Sequence, residues 1–194
     1  MYKLCKTEQS AQRQRWMEQG LAAMMLTTRY EDITVSDLCE KLQIPRKSFY
    51  RYFASKEDAL YALIDHTLMS YEDFSKEHKR TKKRNLKGDL AQFFQFWLEN
   101  KLILDALQKS GLSGLLIERA IAYSISEDVF PNRFLPGETN EVRRHVVMFA
   151  VCGLMSMMLQ WYQNGCQEDI QALAEIAKRL LNQPLFPAAE EKML

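Results

Sequence analysis

Two short amphipathic segments, Val35–Leu42 and Arg46–Phe53, flank the three residues Gln43-Ile44-Pro45, and no other feature constrains the chain as much. Pro45 has no N–H to give to a helix interior, so it belongs at or just before a first turn. One helix must therefore stop, and another start, within three residues. Thr34 precedes the first segment with Asp37 three positions on, the pattern of a capping box, and the helix so begun buries Leu38 and Leu42. In the second segment, Phe49 and Phe53 lie one turn apart and define an inward face. Lys47, Ser48 and Arg51 project opposite them, with Tyr50 and Tyr52 at the flanks. Two short helices joined by a tight turn, after a longer helix, form a helix-turn-helix.

The longer helix is expected over Gln9–Thr28, with Trp16, Met17, Gly20, Leu21 and Met24 on one stripe. After the pair, Ser55 caps again with Asp58 three residues on. This opens a helix over Lys56–Lys79 striped by Leu60, Leu63, Ile64, Thr67, Leu68 and Tyr71. The basic run from Lys79 to Asn85 reads as a solvated linker. Beyond it, Leu90, Phe93, Phe94 and Trp97 stripe one helix, and Leu102–Lys109 and Leu112–Ile125 make two more. An irregular loop, Val129–Gly137, leads to a long helix through Gln163 that Gly165 ends, and a last helix follows over Glu168–Leu181. Helical period dominates and strand-like alternation is missing, so the expected fold is all-α. The expected division is a three-helix DNA-binding head, residues 1–55, and a larger helical body, 56–194, with helix 56–79 as the connection.

Charge distribution agrees with a head and a body of different character. Lys and Arg outnumber Asp and Glu by 16 to 12 through Arg84, and are outnumbered 10 to 13 after it. The basic excess suits a polyanion at the N-terminal end. Cys5, Cys39, Cys152 and Cys166 form no C-x-x-C pair, and His66, His78 and His145 are scattered, so neither a metal site nor a cofactor is expected. The N-terminal residues lack an apolar h-region, which points to the cytoplasm. No nucleophile elbow, paired acid–base spacing or glycine-rich phosphate loop speaks for an enzyme.

Val146–Leu159 is apolar nearly all round and shorter than the roughly 20 residues that cross a bilayer. A helix of this kind must be covered on more than one side, so one face meets its own core and the other a partner subunit. Ile170, Leu173, Ala177, Leu180 and Leu181 stripe the last helix in support.

A helix that exposes Lys47, Ser48 and Arg51 beside two phenols suits the major groove. Lys and Arg donate to guanine O6 and N7 or to phosphate, and Ser reaches either. Lys56, at the start of the next helix, adds charge beside N–H groups that favour an anion. The stretch ITVSDLCEKLQIPRKSFYRYFASKEDAL strongly resembles the DNA-binding domain of the TetR family of transcriptional regulators. It carries that family's T-V-x-D-L start, its F-Y-R-Y-F core and its S-K-E cap in order, and the resemblance covers about residues 10–68.

The resemblance implies a homodimer that reads double-stranded operator DNA. Tyr50 and Lys56 match positions that hold the DNA backbone. Arg46, Lys47, Ser48 and Arg51 match positions that read or approach bases, Thr34 and Ser36 those where the preceding helix meets phosphate, and Tyr52 flanks the group. Two glycines usual in the family are replaced by Arg29 and Gln43, each expected to cost about 1 kcal/mol in a left-handed backbone. Val35 sits where some relatives place a phosphate-binding hydroxyl. The resemblance also implies dimerisation through the last two helices, about 140–164 and 168–181. It places an effector pocket in the body, for which Phe93, Trp97, Tyr123, Met148 and Phe149 are the candidate wall and a small apolar or aromatic molecule the candidate effector. The function implied is a repressor released by that effector. The alternative is an activator whose body binds a protein partner.

Overall fold

The structure, a computed structural model, describes Tyr2, Cys5 and residues 7–79, 85–126, 137 and 139–183, with only the backbone of His78 and Lys79. The basic stretch 80–84 and nearly all of the loop 129–137 lie outside the described residues. The described residues are helical with no strand: α1 (Glu8–Met25), α2 (Val35–Lys41), α3 (Arg46–Tyr50), α4 (Lys56–Lys79), α5 (Leu86–Glu99), α6 (Lys101–Lys109), α7 (Ser113–Ser126), α8 (Asn140–Gln163) and α9 (Ile170–Asn182), with a single 3-10 turn at Tyr30–Asp32.

Local chemistry explains most boundaries. The Thr7 hydroxyl caps α1 by accepting from the Ser10 amide. Both halves of the capping box at α2 are present: the Thr34 hydroxyl accepts from the Asp37 amide, and the Asp37 carboxylate accepts from the Thr34 amide at 2.8 Å. At α4 the Ser55 hydroxyl accepts from the Asp58 amide, while the Asp58 carboxylate reaches back one residue further, to the Ala54 amide. α3 closes at Tyr50, earlier than the expected Phe53, although Tyr52 and Phe53 still donate to the Phe49 carbonyl. Of the two glycine replacements, only Gln43 sits in the left-handed region, at φ 52°. Arg29 is extended at φ −62°, so the strain expected there does not arise.

One core runs from head to body. Met17, Leu21, Ala22 and Met25 of α1 pack with Ile33, Leu38, Phe49 and Phe53, and α4 contributes Ala59, Leu60, Ala62 and Ile64. Trp16, expected on the buried stripe, is instead 43% exposed. The buried row runs through Gln14, Met17, Leu21 and Met25, and the 100° step from Met17 back to Trp16 carries the indole to the rim. Gly20 faces α2, where a Cβ would come within 2.7 Å of the Leu42 side chain, so its lack of a side chain sets how closely the two helices approach.

α4 packs against α1 at one end and against α5 and α7 at the other. Around α5, Phe94, Phe96 and Trp97 are buried with Met158 and Trp161 of α8, at roughly 1.5–3 kcal/mol for each large side chain fully buried. α8 ends as expected at Gly165, whose φ is +77°, and the Trp161 indole donates to the Glu168 carbonyl across the turn. Asp169 then caps α9, which starts two residues later than expected.

α8 is 24 residues long, so it exceeds the Val146–Leu159 run and is, by length and composition alone, long and apolar enough to cross a membrane. Its inner face packs on α7 and α5 through Val147, Val151, Met155 and Met158, as a core helix does. Its outer face is uncovered in the single chain. Val142, Val146 and Phe149 line it, followed by the small or polar Cys152, Gly153 and Ser156. On α9, Ile176 and Leu180 are likewise exposed.

Candidate nucleic-acid interface

The two short helices are braced from inside by aromatic rings. Phe49 and Phe53 are buried, 5.2 Å apart between ring centres, and Tyr52 packs beside Phe53 at 6.3 Å. With that side fixed, the opposite side of α3 carries exposed Arg46, Lys47, Tyr50 and Arg51, and Ser48 is half-buried. Arg46 lies over the Tyr50 ring at 5.9 Å and donates to its hydroxyl, so cation and phenol point the same way as a pair. Arg51 stands in the same relation to Tyr52, 5.2 Å from the ring. The two tyrosines differ in role. Tyr50 is 43% exposed and offers its hydroxyl outward, whereas Tyr52 is 6% exposed and belongs to the core, with Arg51 covering its ring and hydroxyl.

Thr34 and Ser36 are both exposed at the start of α2. The Thr34 hydroxyl is already engaged twice, accepting from the Asp37 amide and donating to the Asp37 carboxylate at 2.7 Å. The hydroxyl's donation, and then that of the Thr34 amide, hold the Asp37 carboxyl below its usual value. Lys56 is more committed still. Its ammonium donates to the carbonyls of Tyr30 and Ile33, each at 2.6 Å, and sits 4.2 Å from the centre of the Tyr30 ring. A lysine has three donors, so a phosphate would have to share or displace these contacts. Burial, and then Glu57, push the Tyr30 phenol well above its ordinary range, so the ring under that cation stays neutral.

Behind this surface lie polar contacts that the sequence does not disclose, because their partners are dozens of residues apart. Lys109 donates to the Leu26 carbonyl at 2.6 Å, and the Tyr30 amide donates to the Ser110 hydroxyl at 3.1 Å. Arg119 of α7 grips Asp65 of α4 through two parallel bonds, the longer from Nε at 2.8 Å, and lies over the Tyr61 ring. Tyr2 adds a third bond to the same carboxylate. Burial first, and then the Asp65 charge, push its phenol up to about 12. One residue on, His66 faces the buried Glu18 of α1 at 3.0 Å.

The candidate effector wall does not close within one chain. Phe93 and Trp97 are neighbours on α5, 6.5 Å apart, in an aromatic group with Tyr71 and Phe96. Tyr123 belongs to a different contact, its hydroxyl donating to Glu72 at 2.7 Å. Met148 and Phe149 point outward, 42% and 64% exposed, because they lie on the face of α8 turned away from α7. Among the described residues, no group of three His, Cys, Asp or Glu could hold a metal ion.

Residues 21–63 match the sequence profile of bacterial regulatory proteins, tetR family. The match spans the end of α1, both short helices and the first two turns of α4. The whole chain is similar in fold to the fatty acid degradation regulator FadR from Bacillus halodurans, at 15% identity, TM-score 0.53, and 94% and 98% coverage of this chain and that one. It is similar to FadR from Bacillus subtilis, solved in complex with stearoyl-CoA, at 16% identity, TM-score 0.52, and 85% and 95% coverage. It also resembles AlkX, a TetR family repressor from Dietzia sp. strain DQ12-45-1b implicated in n-alkane biodegradation, at 12% identity, TM-score 0.50, and 86% and 96% coverage. No curated protein sequence matches the chain.

Proposed function

We propose, for a chain whose head belongs to the tetR family of bacterial regulatory proteins, that it is a cytoplasmic, ligand-released repressor acting as a homodimer on operator DNA. The observation that carries this reading is the exposed side of α3, where Arg46, Lys47, Tyr50 and Arg51 stand outward from a helix fixed by Phe49 and Phe53. Arg51 and Lys47 are placed to donate to base edges, Tyr50 and Ser36 to phosphate oxygens. Residues 1–55 form the reading unit and 56–194 the sensing and pairing unit, with α4 joining them.

The pairing surface is the uncovered side of α8 with that of α9. An apolar stripe of Val142, Val146 and Phe149, running into Gly153 and Ser156, lets a second copy approach closely, and Ile176 and Leu180 widen the contact. Pairing gives two α3 helices one operator and places two half-sites about 34–36 Å apart or a further turn along. The effector is an apolar molecule received among the aromatic side chains around Phe93 and Trp97. Likeness in fold to a FadR crystallised with stearoyl-CoA and to AlkX supports a long hydrocarbon chain as its apolar part.

Binding to the intergenic DNA beside the gene, titrated at two salt concentrations, tests the reading. Saturable binding that beats scrambled duplex and weakens steeply with salt is the expected result. Affinity equal to that for scrambled duplex would remove the operator assignment.

A further inference from the structure

The connection from α1 to α2 is capped by the body of the protein rather than by the head. α1 has no basic residue in its last turn, where a cation would offset the partial negative charge of the free carbonyls. Lys109, at the end of α6, supplies that cation by donating to the Leu26 carbonyl at 2.6 Å. The next element, the turn Tyr30–Asp32, has no side-chain cap of its own. Ser110 fills that place too, its buried hydroxyl accepting from the Tyr30 amide. Both residues are aimed by one tight turn. Gly111, at φ +68°, ends α6 while Leu112 donates back to the Leu107 carbonyl at 2.8 Å. From the far side, Lys56 holds the carbonyls of Tyr30 and Ile33. The segment that leads directly into the capping box of α2 is thus held between the body and the first turn of α4.

The geometry points to Lys109 and Ser110 as positioning residues for DNA reading: they fix the angle at which the head stands on the body. α1 packs on both α4 and α6, and the polar contacts at the end of α6 lock the turn of the head on that packing. These two contacts fasten the head at the end of α6, while Arg119 on Asp65 fixes α7 to α4, the helix that carries the head. Two heads of a dimer reach two half-sites at one spacing only if that angle is held. The inference rests on the operator-binding reading above and predicts where the spacing preference comes from.

A duplex selected by the wild-type protein from a random-sequence pool is the probe, remade with its half-sites one base pair closer or farther apart, and as a single half-site. The wild type should discriminate sharply among the spacings. K109M/S110A should bind the best spacing about tenfold more weakly, a typical coupling between separate sites, with a flattened preference. Its affinity for the single half-site should be unchanged, and K109R/S110T should restore the wild-type profile. K109M alone alters an exposed side chain and keeps the test open if the double variant does not fold. A spacing profile superimposable on the wild type's would overturn the inference. So would an equal loss on the single half-site, which would mean damage to the head. If the wild-type protein enriches no sequence at all, it is the operator reading that fails.

Discussion

At the residue scale, neighbouring cations on the same surface have different tasks. Arg51 is exposed, lies over the Tyr52 ring and donates to its hydroxyl, and is placed to turn toward a base edge. Arg51→Ala should weaken operator binding by roughly 1–3 kcal/mol and relax preference at one position, with thermal stability unchanged. Lys56 is half-buried and closes three carbonyls of the 30–33 segment. Lys56→Met should therefore lower stability by about 1–3 kcal/mol, the cost of leaving polar groups unsatisfied. Urea unfolding of both variants, set beside their operator affinities, checks the contrast. Unaltered stability of the Lys56 variant would reduce that side chain to a phosphate contact. The exposure of Lys47 and Arg51 was legible in the sequence because Phe49 and Phe53 orient the helix. Arg46 came from the family resemblance, Ser48 is half-buried, and the two flanking tyrosines part, Tyr50 outward and Tyr52 inward. The commitment of Lys56 was not legible, since carbonyls of a segment about twenty-five residues earlier leave no mark on a residue pattern.

At the element scale, the capping box at α2 is where charge and stability meet. Asp37 accepts from Thr34 twice, which lowers its pKa from the ordinary 3.8. A carboxyl with a lowered folded-state pKa contributes stability above its unfolded value, and loses it as pH falls through the folded one. Wild type should thus be more stable than Asp37→Asn at neutral pH, and the difference should shrink below about pH 4. Thr34→Ala should cost about 1 kcal/mol at neutral pH and less in acid, because one of the bonds it removes is made to the Asp37 carboxylate. Melting temperatures of the three proteins between pH 3 and pH 7 test the pair, and a difference that widened in acid would contradict it.

Helix order and most helix ends were readable at this scale from caps, from Pro45 and from Gly165. Trp16 was misplaced beside Met17 because two adjacent apolar residues both fit a broad stripe, and packing buries Met17 while leaving Trp16 at the rim. Gln43 shows the complementary case. A left-handed residue was expected from the missing glycine and is present, whereas Arg29 escaped the same expectation because an extended backbone follows α1 there.

At the scale of the whole molecule, a single chain leaves an apolar side of α8 and α9 open. Phe149, 64% exposed, is its largest side chain. Phe149→Glu should give a folded monomer by sedimentation, with operator affinity reduced to that of one head. A dimer of unchanged stability would move the pairing surface elsewhere. The all-round apolarity of Val146–Leu159 already implied a helix covered on two sides. It did not reveal that Met148 and Phe149 lie on the outer one, because a pattern without a polar face carries no phase. The attachment of head to body was illegible for a related reason: Lys109, Ser110 and Arg119 look like ordinary surface residues until the fold brings their partners to them.

Hydroxyl-radical footprinting on the duplex selected by the protein tests the central claim most directly. Two protected patches on one side of the helix, separated by about 10–10.5 base pairs or a multiple of that repeat, are predicted for two α3 helices held by a two-fold dimer. A single patch, or protection spread evenly along the duplex, would contradict it.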